Sequence, residues 1–439
     1  MNRRNLLLTT AGLALATAMP MQPAKADLYQ YLAKAEPDYK WSLVEKRDIA
    51  GGIVYDMKMT SQVWQGITWT HRVQLFIPKL VTRTGFCTIL NTGGNGSSEN
   101  DLIATMIAQS TGAPFAVVHN IPNQPLYEGL VEDELIVRTW IKFLETGDES
   151  WPLHFPMAKA VIKAIDTVQA LTKQEKLGAL NRFVVTGASK RGWTSWLCGA
   201  SGDKRIVGIA PMVIDILNLK AQLAHQLEHY GKSSEEVADY SSAGFDKLLS
   251  APRSGRLIEL EDPYSYRAKL TLPKMILLGT NDRYWSQDAL NLYWDDLVGE
   301  KSVLYVPNSG HGLEDRTRVL NTMAAFARSV ADKKPMPALR WTRKPKPNGS
   351  CDFTVTSDTT MVSARIFRCE APTRDYRDSK WSSTELTVAP SGKSVKANAP
   401  SPVTGCAASY VEVTYGAGRE RYTLTTQIQL LGKPVVAPK

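Results

Sequence analysis

Cysteine, histidine and long apolar runs are all scarce in this chain, and each scarcity excludes something. Five cysteines in 439 residues are too few for a disulfide-stapled scaffold, and their spacing matches no zinc motif. Six histidines include no HExxH arrangement; His225 and His229, four apart, could share a helix face, but no third ligand is in sight. The glycine-rich loop at residues 93–96 lacks the Gly-Lys-Ser/Thr ending of a phosphate loop. No metal and no cofactor are expected. Past residue 26 there is no run of about 18 uncharged apolar residues, so the mature chain should have no integral membrane segment. Excess charge is modest as well: 52 basic and 43 acidic residues give +9, and their interspersion disfavours a nucleic-acid-binding stripe.

What is present is an ordinary globular composition, 43% hydrophobic and 22% charged, enough for a sizeable core. Residues 1–26 carry Arg3-Arg4, an apolar stretch from Leu6 to Met19, and Ala24-Lys25-Ala26 before Asp27. That is the pattern of an export signal, by the general or the twin-arginine route. Removal of Arg3, Arg4 and Lys25 lowers the charge from +9 to +6. The expected location is periplasmic or secreted. An oxidising compartment allows one disulfide among Cys351, Cys369 and Cys406; the alternative is that all three are small buried hydrophobes, as Cys87 and Cys198 in their apolar segments should be.

From residue 27 to about 340 strands and helices alternate. Val54 to Met59 and His71 to Pro78 read as early antiparallel strands. Cys87 to Asn91, Phe115 to Val118, Phe183 to Val185, Ile206 to Val213, Met275 to Leu278 and Val303 to Val306 read as further strands, mostly short apolar runs of the buried kind. Helical spacing appears from Asp101 to Gln109, from Met157 to Leu171, and from about Asp315 to Ala331. Strands separated by helices imply a parallel sheet covered on both faces, an α/β domain. Between Ile216 and Asp262 the strands stop, and a polar helical stretch reads as a cap-like insertion (216–262). Arg340 to Gly349, basic and broken by prolines, reads as a linker. Beyond it, short strand-like runs suggest a small C-terminal β-sandwich over 341–439.

Chemistry concentrates at Thr186-Gly187-Ala188-Ser189-Lys190-Arg191-Gly192-Trp193, where a β-branched strand meets a helix through a tight turn. This is a nucleophile elbow, although its second glycine lies three places after the serine rather than two. Partners follow in the order an α/β-hydrolase requires. Asp282 lies just past one strand and His311 past the next, so His311 would take the Ser189 proton and Asp282 would orient the imidazole. Asp215 is the rival acid, and Glu314 lies too close in sequence to His311. The backbone N–H of Lys190 and the loop Gly93-Gly94-Asn95 would supply oxyanion donors. Lys190 and Arg191 suggest contact with a negatively charged substrate, against the alternative that one pairs with an acid and the other is solvated. Trp285 could reach the same pocket.

The elbow from Thr186 to Leu197 and the segment Pro211 to Asn218 resemble the PhoPQ-activated pathogenicity-related family. So do Pro122–Leu126, Trp151–Met157, Asp262–Tyr266, Tyr293–Leu297 and Val306–His311, and, in the tail, Arg374–Arg377 and Val411–Tyr415. The resemblance spans roughly residues 27 to 439. It implies an exported α/β-hydrolase fold with a C-terminal β-domain, in a family linked to virulence regulation and antimicrobial-peptide resistance. Where members commonly have Gly-Asp, this chain has Asn281-Asp282, keeping the acid. The Ser-basic-x-Gly elbow is also similar to that of glucuronoyl esterases, which cleave sugar-acid esters.

The expected function is therefore an exported serine hydrolase, an esterase acting on a small-molecule or peptide substrate. The alternatives are a peptidase on the same triad and a non-catalytic hydrolase-fold binding protein.

Overall fold

Runs such as Phe86–Asn91, Arg182–Ala188 and Lys274–Gly279 have almost no polar face to give to water, so they are stable only between two covering layers. A computed structural model, which describes residues 27–96, 98–237 and 251–435, places them as interior strands of one nine-stranded sheet. Its strands are β1 (Lys40–Ile49), β2 (Gly52–Trp64), β3 (Ile67–Pro78), β4 (Phe86–Asn91), β5 (Phe115–Val118), β6 (Arg182–Ala188), β7 (Ile206–Met212), β8 (Lys274–Gly279) and β9 (Lys301–Val306). The order is β1-β2-β3-β5-β4-β6-β7-β8-β9. The first three strands are antiparallel, β3 joins β5 antiparallel, and from β5 onward every pairing is parallel.

Helices close both faces. On one, α4 (His154–Gln174) and α5 (Lys190–Ala200) lie against the sheet with α1 (Leu28–Ala33) packed on α4; on the other lie α2 (Ser98–Thr111) and α8 (Arg316–Asp332). Helix α4 turns Met157, Val161, Ala164, Ile165, Val168 and Leu171 inward at helical spacing. Every residue of α5 is buried. Helix α3 (Glu132–Thr146) runs between β5 and α4 in the chain. The stretch between β7 and β8 contributes α6 (Leu219–Tyr230) and α7 (Ser254–Glu261). This strand order, with helices on both faces, is the α/β-hydrolase fold.

Beyond α8 the chain forms antiparallel β-structure: β10 (Arg340–Pro345), β11 (Cys351–Thr356) and β14 (Ser394–Ala399) make one sheet. The other holds β12 (Ser363–Ala371), β13 (Ser382–Leu386), β15 (Cys406–Tyr415), β16 (Tyr422–Thr425) and β17 (Gln429–Gly432). Phe353 and Val355 from the first sheet meet Val411 and Val413 from the second in one buried cluster, sandwich fashion. The same cluster takes in Val184, Leu277, Leu304 and Phe326 of the hydrolase part. Tyr305 of β9 also donates its backbone N–H to the Thr425 hydroxyl at 3.1 Å.

Several expectations need correction. The segment 340–349 is no linker: Arg340–Pro345 pairs residue by residue with Cys351–Thr356. It is an exposed edge strand, the position where alternating basic residues and a proline are tolerated because one side of the ladder is unpaired. No disulfide links Cys351, Cys369 and Cys406; all five cysteines are free and buried. Helix α2 and strands β2 and β3 run longer than their apolar cores suggest. The export signal (1–26) lies outside the described residues, as does Ser241-Ser242-Ala243-Gly244 of the expected insertion.

A chain ending at residue 339 should lose its single cooperative thermal transition, because half of a shared core would face water. Circular dichroism melts of the two lengths test this, and an unchanged melt for the short chain would refute the shared core.

Candidate functional site

Strand β6 ends at Ala188 and helix α5 begins at Lys190, leaving Ser189 alone to turn the chain. Its backbone adopts φ 57°, ψ −128°, a conformation that costs roughly 1–3 kcal/mol for a residue with a Cβ and persists only where the surroundings enforce it. They do so by contact. A Cβ on Gly187 would come within 2.6 Å of the Arg191 carbonyl oxygen, and one on Gly192 within 2.9 Å of the Met212 carbonyl oxygen. Ser189 N–H donates to that same Met212 carbonyl at 2.9 Å. Asn91, at the end of β4, donates to Thr186 O at 2.8 Å and to the Ser195 hydroxyl at 3.1 Å, binding strand to helix beneath the turn.

Asp282 and His311 are brought together. Asp282 follows β8 and is 4% exposed. One of its carboxylate oxygens accepts the Tyr284 N–H at 3.0 Å, and the other lies 2.9 Å from His311 Nδ1. The backbone bond orients the carboxylate, and the carboxylate holds the ring. Asp215, the rival acid, has no histidine against it among the described residues, and burial pushes its carboxyl up to about 7. Glu314 instead accepts the Gly310 N–H at 2.8 Å and stiffens the histidine loop. Among the described residues no hydrogen bond joins the Ser189 hydroxyl to His311. Tyr284 lies against the His311 ring, with centroids 4.4 Å apart.

Ser189 opens into a pocket of about 770 Å³, its open mouth included, whose walls are largely apolar: Trp140, Trp193, Ile214, Leu219, Leu223 and Trp285. Trp285 therefore does reach the pocket. Helix α6 and residues Ser233 and Val237 form one side of it, so the stretch between β7 and β8 covers the turn at Ser189.

The loop after β4 is fixed by its carbonyls. Gly94 O accepts the Asn120 N–H at 3.1 Å, and Asn95 O accepts from Arg72 at 3.1 Å. Gly93 lies over the elbow helix, with no room for a Cβ against the Arg191 guanidinium. The Lys190 N–H, first in its helix, is one of the amides an α-helix leaves without an internal partner.

Lys190 and Arg191, expected to meet an anionic substrate, are both held by protein carboxylates, although Lys190 also lines the pocket at Ser189. Arg191 donates from Nε to Ile121 O at 2.6 Å and forks onto Glu132 at 2.6 and 2.7 Å. Lys190 Nζ lies 2.9 Å from Asp133 and 3.2 Å from Glu132. Both cations are engaged by the first turn of α3, a helix that the sequence reading passed over. The signal was present in Glu132-Asp133-Glu134 followed by Leu135, Ile136, Trp140 and Phe143 at helical spacing: acids in a first turn, then an apolar face.

The strand order and the turn at Ser189 define an α/β-hydrolase-fold protein. More narrowly, the chain belongs to the PhoPQ-activated pathogenicity-related protein family, whose model matches residues 28–377. Autocrine proliferation repressor protein A of Dictyostelium discoideum is 32% identical over 332 residues, covering 72% of this chain and 67% of that one. Among solved structures, acetyl xylan esterase 1 from a Thermoanaerobacterium species is similar at 16% identity and a TM-score of 0.47, over 67% of this chain and 93% of its own. An acetyl xylan esterase from a Paenibacillus species gives 11% and 0.48, over 69% and 99%. At that overlap the fold assignment rests on the strand order itself.

The ion pairs beneath the elbow carry a pH consequence. Burial raises the Glu132 carboxyl, but the Arg191 hydrogen bonds and charge, with Gln124 and Lys190, outweigh it and hold the group down at about 2. A carboxyl lowered in the folded state stabilises that state above its unfolded value, near 4.5, and the contribution fades as pH falls from there to about 2. Urea melts should thus show a steep acid limb below pH 4.5 that Glu132→Gln flattens. Parallel limbs in both proteins would dismiss the coupling.

Proposed function

We propose that this protein is an exported serine hydrolase that cleaves carboxylic esters, with Ser189 as nucleophile, His311 as general base and Asp282 as its orienting acid. The observation that carries this reading is the 2.9 Å bond between Asp282 and His311 Nδ1, formed two strands along from a serine held at φ 57°. With Nδ1–H donated to the carboxylate, His311 Nε2 is left as the basic nitrogen.

In the reaction His311 removes the Ser189 proton as Oγ attacks the acyl carbon. The tetrahedral oxyanion is stabilised by the Lys190 N–H and by amides of the Gly94-Asn95 loop. His311 then returns its proton to the departing alcohol, leaving an acyl-Ser189 ester that water hydrolyses by the same steps. The side chain of Ser189 must come within reach of His311 for the first transfer, a contact that commonly tightens only with substrate bound. An acyl group of modest size and apolar character suits a pocket walled by Trp140, Trp193, Ile214 and Trp285. Export rests on Arg3-Arg4, the apolar run and Ala24-Lys25-Ala26.

A fluorophosphonate probe should label the purified protein, and Ser189→Ala should not be labelled. Asp282→Asn should lower ester turnover by about 10⁴, through the wrong tautomer rather than misfolding. If wild type and Ser189→Ala behave alike with both probe and esters, the protein is a binding module on a hydrolase fold.

A further inference from the structure

Away from Ser189, one face of α6 is tied to the segment that follows Asp282. Gln226 donates to Tyr284 O at 2.9 Å, the Tyr230 hydroxyl to Trp285 O at 2.8 Å, and Gln222 to Ala289 O at 3.2 Å. Between these neutral bonds sits a different group. His225 and His229, one helical turn apart, have ring centroids 3.9 Å apart and converge on Asp288. His225 Nε2 lies 2.8 Å from Asp288 Oδ1, and His229 Nδ1 lies 3.7 Å from the same oxygen. His229 is 1% exposed, and neither of its ring nitrogens has a hydrogen-bond partner among the described residues. An imidazole buried with both nitrogens unused forfeits on the order of 1–3 kcal/mol, and such an orphan in a native structure calls for an explanation, an absent ion among them.

We infer that His225, His229 and Asp288 form a binding site for a divalent transition-metal ion of the zinc type, which clamps helix α6 to the loop carrying Asp282. The donor set is two imidazoles and one carboxylate, which suits zinc and its neighbours rather than magnesium or calcium, whose preferred ligands are oxygens. Spacing agrees. Tetrahedral zinc with bonds of about 2.0–2.1 Å holds its ligand atoms roughly 3.3 Å apart; the distances of 2.8 and 3.7 Å bracket that value, and all three ligand atoms lie within 4.8 Å of one another. Two histidines at i and i+4 share one helix face by geometry. The ion replaces the His225–Asp288 hydrogen bond: His225 presents the Nε2 lone pair, with its proton on Nδ1, and His229 presents Nδ1. Three protein ligands leave a fourth position for water. The site does not depend on Ser189 being a nucleophile.

The full chain, stripped with a chelator, should bind one equivalent of Co²⁺ with the visible absorption bands of a tetrahedral nitrogen–oxygen site. Zn²⁺ should displace it, and millimolar Mg²⁺ or Ca²⁺ should not. Zn²⁺ should also raise the thermal midpoint. His225→Ala, His229→Ala and Asp288→Asn should each weaken binding by more than about tenfold and abolish the stabilisation, while the neighbouring Glu228→Gln should keep both. His225 is the more accessible ligand, at 16% side-chain exposure, so its variant keeps the test decisive if His229→Ala fails to fold. A wild-type chain that gives no tetrahedral Co²⁺ spectrum, or a folded His225→Ala that binds as tightly as wild type, would overturn the assignment.

Discussion

The backbone turn at Ser189 is the constraint on which the rest of the site depends. A residue with a side chain occupies a region of conformational space normally left to glycine, and the surrounding atoms leave it no alternative. The Met212 carbonyl receives its N–H, and the closeness of Arg191 O and Met212 O excludes any side chain at 187 or 192. The strain is offset by what the turn joins: a strand inside a parallel sheet and a helix buried along its whole length. The positions of the Gly93–Asn95 loop, the pocket wall and the paired cations all follow from where α5 begins.

The other two strand ends are held from outside the hydrolase part. Asn281, beside Asp282, donates to the carbonyls of Arg377 at 3.1 Å and Ser379 at 2.7 Å. Asn308, three residues before His311, accepts the Trp381 N–H at 2.7 Å and returns a bond to Trp381 O at 2.9 Å. One short stretch of the C-terminal β-structure therefore buttresses both the acid loop and the histidine loop. The departure at Asn281 from the Gly-Asp of the resembled family acquires a physical role here, because a glycine has no side-chain amide to make these bonds.

Legibility in the sequence followed burial. The strands β4 to β9 announce themselves because they are buried on both faces and so carry unbroken apolar runs, and Ser189, Asp282 and His311 could be placed because each follows such a strand. Strand β1 was missed: Lys40–Ile49 is an edge strand, exposed or half-buried at every position, and has neither a run nor a clean alternation. The edge strand Arg340–Pro345 resembled a linker for the same reason. Pairing partners of charged side chains were harder still, since His225, His229 and Asp288 are 63 residues apart at their extremes and only the fold of the α6 segment over the 282–288 loop brings a third ligand within view.

Lys190 and Arg191 show how charge at a helix start is met within the fold. A helix N-terminus carries partial positive charge, so two cations there are unfavourable by roughly 0.3–1 kcal/mol each unless anions approach. An anionic substrate would be one remedy, but a transient one, leaving the buried charges uncompensated between turnovers. Glu132 and Asp133 at the N-terminus of α3 are a permanent remedy. Acids in that first turn complement their own helix dipole, and by engaging the two cations, Glu132 on Arg191 and Asp133 on Lys190, they offset the charge at the start of α5 as well. With Lys190 and Arg191 both 8% exposed, a permanent partner is what burial demands, and both charges hold the α3 start against the elbow.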